Sequence, residues 1–159
     1  MIKQTYCEHC GAPMRPYRVK VTPMMVRALI KFREAVVAHN RNSIHLLKDM
    51  KGRSYELSRH EWNNFTRQRF LGLAVKVKGK SGYWLLTKRG AAFLNGQEAI
   101  PAYVFIFRNK IVERSEWTQN VAEVIGSTPY LEQKADIEYG EPTEIPEFKS
   151  TKEGQGILV

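Results

Sequence analysis

The chain predicts an α+β fold, and three observations carry it. Two segments space their apolar residues at helical period, two stretches alternate and turn like β-hairpins, and Ser or Thr stands where each helix would begin. With 159 residues, 43% of them hydrophobic, the chain can close one ordinary core and carry a small appendage. No apolar run approaches the ~18 residues of a membrane span. The opening MIKQTYCEHC lacks the apolar centre of a secretory signal. The expectation is a cytoplasmic protein with no membrane partner, in which two close cysteines are reduced or metal-bound.

Charge divides the chain. Residues 1–131 hold 22 Lys+Arg against 9 Asp+Glu, a net +13, whereas residues 132–159 hold 3 against 7, a net −4. A basic body suits a polyanionic partner. An acidic tail suits a basic protein partner or the body's own positive surface.

Taken in order, TPMMVRALIKFREAVVAHN, residues 22–40, begins with a capping Thr22 and with Pro23 at the first helical position. Met25, Val26, Leu29, Ile30, Val36 and Val37 make its apolar face, with Arg27, Lys31, Arg33 and Glu34 elsewhere. SIHLLKDM, residues 43–50, fits a short helix or a short strand, and Ser43 as a cap tilts the reading to helix. SRHEWNNFTRQRFLGL opens with Ser58 and Glu61 in capping-box spacing, and Gly72 closes it. Helical geometry puts Trp62, Phe65 and Thr66 on one side, and His60, Asn63, Asn64 and Arg67 on the other. LAVKVKGKSGYWLLT alternates Val75 and Val77 with Lys76, Lys78 and Lys80, which predicts a half-buried strand, a Gly turn and a second strand over 83–86. Thr87 caps a short helix in KRGAAFLNG. AYVFIFRNKIVERS predicts a second hairpin turning at Arg108, Asn109 and Lys110, and a brief helix around 116–125 follows with Ser115 as cap. From Glu132 the acidic text is punctuated by Pro and Gly and reads as an extended tail.

This order of elements resembles a winged helix-turn-helix domain: a three-helix core plus a β-hairpin wing, here with a second small hairpin. The resemblance is sharpest in GLAVKVKGKSGYWLLTKRGAAFL, residues 72–94. MarR-like winged-helix repressors carry a similar Gly-Leu after the recognition helix, a basic wing, and a strand running into Leu-Thr-x-x-Gly-x-x-x-Leu. Leu86, Thr87, Gly90 and Leu94 occupy that last pattern. The division that follows is a knuckle-like arm 1–21, a winged helix 22–96, a hairpin extension 97–131 and the tail 132–159.

The resemblance implies double-stranded DNA as partner, with helix 58–71 in the major groove. Asn and Arg suit adenine and guanine edges, so His60, Asn63, Asn64 and Arg67 are the base-reading candidates. Arg59, Lys76, Lys78, Lys80, Lys88 and Arg89 are the backbone contacts. The bland alternative is an ordinary solvated helix face with lysines protecting an edge strand. Functionally, the expectation is a non-enzymatic prokaryotic or phage transcription regulator that binds a specific sequence. The alternative is a protein-interaction module of a nucleoprotein assembly.

Cys7 and Cys10, in CEHCG, have the spacing of half a zinc site, and a closed structural site takes four ligands. Three readings stand: a knuckle without metal, a zinc shared between two chains, or a zinc completed by His9, His39, His45 or His60. A redox pair is less suited, because no βαβ pattern accompanies it. Zinc is therefore the one candidate cofactor.

AVKVKGKS, Ala74 to Ser81, matches the loose letters of a P-loop, but alternation before the Gly and a strand after the Ser contradict the required strand–loop–helix context. No nucleophile elbow or metalloprotease motif is present. Tyr103, Phe105 and Phe107 sit at core-like spacing and read as packing rather than as stacking platforms. So apolar a hairpin also needs cover, which a homodimer would supply.

Overall fold

The computed structural model describes residues 5–6, 13–14, 16–129, 139–141 and 145. The order along the chain is β1 (Thr5–Tyr6), β2 (Pro13–Met14), β3 (Tyr17–Lys20), α1 (Pro23–His39), β4 (Ile44–His45) and α2 (Arg59–Asn64). A 3-10 helix, Phe65–Leu71, continues α2, followed by β5 (Ala74–Lys76), β6 (Tyr83–Leu86) and α3 (Lys88–Leu94). Then come β7 (Ile100–Pro101), β8 (Tyr103–Phe107), β9 (Lys110–Arg114), β10 (Thr118–Gln119) and α4 (Val121–Ile125). The fold is mixed α+β, and among the described residues no helix is long and apolar enough to cross a membrane.

α1 is organised by its own ends. Thr22 Oγ1 accepts the Met25 N–H, Pro23 opens the first turn, and Asn40 closes the last in a left-handed conformation, φ 50°. Its buried face, with Phe32 at its middle, lies in a single core with residues from two three-stranded antiparallel sheets, among them Val19, Leu86 and Ile106. One sheet runs β4-β6-β5 and the other β3-β8-β9. Residues 17–20, allotted from sequence to an N-terminal arm, are thus a sheet partner of the 103–107 strand, because Val19 opposite Val104 is wholly buried.

Arg33 departs from its expected place on the polar side of α1. It is 3% exposed, and its guanidinium donates to Asn95 Oδ1 at 2.9 Å. Burial pushes its pKa down from the ordinary arginine value, opposed by Tyr139 and Glu34.

The helix expected over 43–50 does not form. Ile44 and His45 pair with Trp84 and Tyr83 instead, and turns occupy 46–52. Side chains satisfy the donors a helix would have used: Asp49 Oδ2 accepts the His45 N–H at 2.8 Å, and His45 Nδ1 accepts those of Leu47 and Lys48.

The helix expected over 58–71 changes pitch midway. α2 has the anticipated capping box of Ser58 and Glu61, and Gly72 closes the run in a left-handed conformation, φ 73°. From Phe65 onward the period is three, which lines up Phe65, Gln68 and Leu71 on the buried side. Glu61, Phe65 and Gln68 face inward, so Trp62 and Thr66, placed from sequence on the same side as Phe65, are exposed instead.

The closing pattern of the first hairpin forms as read. Thr87 Oγ1 accepts the Gly90 N–H and donates to the Gly72 carbonyl, joining the end of the 3-10 helix to the start of α3. The second hairpin also forms, with Arg108 and Asn109 at its turn, both at positive φ. The brief helix expected at 116–125 is displaced: Thr118–Gln119 is a strand paired with Ile100–Pro101, and Asn120 rather than Ser115 caps the helix. Ser115 Oγ is occupied by the carbonyl of Trp117.

Within the acidic stretch, Gly140 makes a parallel bridge to Thr87, and Tyr139 and Ile145 pack half-buried against the core. The remainder of the expected tail, apart from Glu141, lies outside the described residues.

Candidate nucleic-acid interface

α2 is positioned by one buried carboxylate. Glu61 Oε1 accepts the Ser58 N–H at 2.8 Å and the Lys31 ammonium at 2.6 Å, so one side chain caps α2 and fastens it to α1. Burial pushes the Glu61 carboxyl up, but hydrogen bonds from Lys31 and Ser58 and the Lys31 charge together bring it below the usual glutamate value. About two turns further on, the Gln68 amide donates to the Met25 carbonyl at 3.0 Å. With its inner side thus tied down, the helix presents Arg59, His60, Trp62, Asn63, Thr66 and Arg67 outward.

The four candidate base readers are not equivalent. His60, Asn63 and Arg67 are exposed. Asn64 is half-buried, and its amide donates to the His60 carbonyl at 2.8 Å. Asn64 and Arg67 line a shallow cleft with Lys20, Thr22, Met25 and Gln68 at the start of α1.

The hairpin begins immediately after the helix, and β5 packs on the 3-10 segment. β5 is only three residues long, so Lys76 lies on a strand while Lys78 and Lys80 lie in the turn. All three are exposed, with Lys76 Nζ 5.8 Å from the Trp84 ring centre and Lys80 Nζ 5.7 Å from that of Tyr83. Gly82, φ 82°, takes a left-handed conformation that side chains rarely adopt, and a Cβ there would also meet the His45 imidazole. No helix follows Ser81, because residues 83–86 are strand β6, so the P-loop-like letters have no P-loop geometry.

Two predicted backbone contacts are held by carboxylates. Lys88 Nζ is 2.8 Å from Glu141 Oε1 with both side chains largely exposed, and Arg89 Nε is 3.2 Å from Glu98 Oε2.

Cys7 and Cys10 lie outside the described residues. Among the described residues no cluster of three or more His, Cys, Asp or Glu could hold a metal. His39 Nε2 is 3.0 Å from the Asp49 carbonyl, and His45 Nδ1 already accepts two backbone N–H groups.

Sequence reasoning missed three features: the turn Asp49 organises, the inward Glu61 and the outward Trp62. Only the capping box signalled one of them, because Glu at the third helical position must turn back towards Ser58.

Comparison with models of known protein families, with curated proteins and with solved structures returned no match.

Proposed function

We propose that the protein binds double-stranded DNA, without catalysing a reaction, as a sequence-reading regulator with a winged-helix core. The observation that carries the reading is the juxtaposition of an exposed Arg/His/Asn face on α2 and its 3-10 continuation with a lysine-bearing hairpin that follows directly. The strand order β4-β6-β5 and the Leu86-Thr87-Gly90-Leu94 closure support the core, although turns replace one expected helix. His60, Asn63 and Arg67 meet base edges, with Asn64 as a constrained neighbour. Arg59, Lys76, Lys78 and Lys80 meet phosphates, and Lys88 and Arg89 do so on exchange of their carboxylate partners.

Selection from a random duplex pool at two salt concentrations tests this. Enrichment of one motif that persists at the higher salt, and is lost with Arg67→Ala or Asn63→Ala, supports the reading. Binding without enrichment that vanishes with salt refutes it.

A second reading, docking of a protein partner in a nucleoprotein assembly, rests on Trp62. It is 49% exposed in the middle of the polar face, and tryptophan is a common anchor of protein interfaces. Retention of duplex binding by Trp62→Ala, with loss of a captured protein, would favour it.

A further inference from the structure

On the sheet β3-β8-β9, the central strand β8 alternates strictly. Val104 and Ile106 are wholly buried, whereas Tyr103, Phe105 and Phe107 are half-buried. Successive residues of a strand point to opposite faces, so the three rings form a row on the outer face. Directly opposed residues share a face, which adds Arg18 beside Phe105, Lys20 beside Tyr103, and Lys110 beside Phe107. The Arg18 guanidinium lies 5.5 Å from the Tyr103 ring centre and that of Arg108 lies 5.1 Å from Phe107. Trp117, 57% exposed, meets Tyr103 edge-on at 5.4 Å and extends the row. Three half-buried aromatic rings, rimmed with cations, lie outside the core on the outer side of a central strand.

We propose that this face binds single-stranded nucleic acid by stacking unpaired bases on Tyr103, Phe105 and Phe107 while Arg18, Lys20 and Lys110 meet the phosphates. The charge selects a polyanion, and the rings select one with exposed π-faces. The spacing selects a single strand. The Tyr103 and Phe105 ring centres lie 5.4 Å apart with their planes at 81°, wider than the ~3.4 Å rise per nucleotide of a duplex strand. Bases must be drawn apart to follow the row, which pairing forbids and an unpaired strand permits. Glu113, opposite Phe105, opposes the phosphates from the same face.

The test is fluorescence anisotropy of labelled oligothymidylate and oligouridylate with the full chain, beside a duplex of matched length. Phe105→Ala and Phe107→Ala should each weaken single-strand binding roughly 5- to 150-fold, the range of base–aromatic stacking, and leave duplex affinity unchanged. Phe105→Leu, which retains apolar packing, should lose nearly as much, and unchanged thermal melting separates that loss from misfolding. Glu113→Gln should tighten binding. Arg67→Ala should leave single-strand affinity intact, so this face and the duplex-reading helix can fail separately. Single-strand affinity that is absent, or indifferent to the rings, overturns the proposal. So does a dimer that Phe105→Leu dissociates, which would assign the face to a second copy of the chain. A preference between the two oligonucleotides identifies DNA or RNA as the ligand.

Discussion

Lys31 Nζ lies 2.6 Å from Glu61 Oε1, and this contact ties the middle of α1 to the first turn of the helix bearing the candidate reading face. The carboxylate is nearly buried and the ammonium partly exposed, with side-chain exposures of 6% and 30%. Glu61→Gln keeps the shape and removes the charge. It should cost about 2 kcal/mol, within the range for a charge-assisted hydrogen bond, read as a shifted urea midpoint with unchanged slope.

The same residue sets an acid limb. Its folded pKa is lowered, so its stabilisation is present above the unfolded glutamate value and is lost as pH falls through the folded one. Thermal melting should fall below about pH 4.5, and Glu61→Gln should flatten that part of the profile. An unchanged acid limb in the variant would remove Glu61 as its source.

Asn42 replaces a missing stretch of sheet. It is buried, its amide donates to the Leu86 carbonyl at 3.0 Å, and its carbonyl accepts the Leu86 N–H at 2.9 Å. Asn42→Ala leaves those strand groups without these partners and should cost about 1–3 kcal/mol. Hydrogen exchange at the Leu86 amide should accelerate with it.

Gly90 separates two opposing effects. Alanine in a helix interior gains about 1 kcal/mol over glycine. A Cβ at Gly90, however, would overlap the Leu73 carbonyl oxygen, which is backbone and cannot swing aside. Gly90→Ala should therefore destabilise by about 1–3 kcal/mol, the range for overpacking, and denaturant titration gives the sign directly.

Lys78 and Lys80 project from the hairpin turn. Replacing either with alanine should weaken duplex binding across all sequences and lower the salt slope by about 1. A change in sequence preference instead would place them at bases.

Much of the local structure was legible because it depends on residues a few positions apart. Thr22 with Pro23, Ser58 with Glu61, Gly72 after Leu71, and Thr87 with Gly90 each satisfy backbone groups within one turn, and each appears where expected. The hairpin at Arg108 and Asn109 follows from the same short range. The misreadings have long-range causes. Ser43 could cap a helix, yet Ile44 finds Trp84 and becomes a strand. Arg33 is a surface residue by its neighbours in sequence, and buried because Asn95 receives it.

The candidate interface divides in the same way. The polar residues of 58–71 and the lysines of 76–80 were legible as a group, since their types and spacing need no partner. Which of them face outward was not, because the pitch changes at Phe65 where the chain packs under β5 and β8. The aromatic row was legible as alternation but not as a surface, since alternation alone does not say which side of a strand is covered.

By itself, then, the sequence determined the caps at Thr22, Ser58 and Thr87, the turns of the two hairpins, which segments alternate, and that a basic body precedes an acidic end. The tertiary structure decided that Glu61 faces in and Trp62 out, that residues 17–20 join the second sheet, and that Tyr103, Phe105 and Phe107 lie on its open side. Caps and turns are settled by hydrogen bonds within a few residues. Burial is settled by whichever distant surface arrives to exclude water, and no short window of sequence contains that partner.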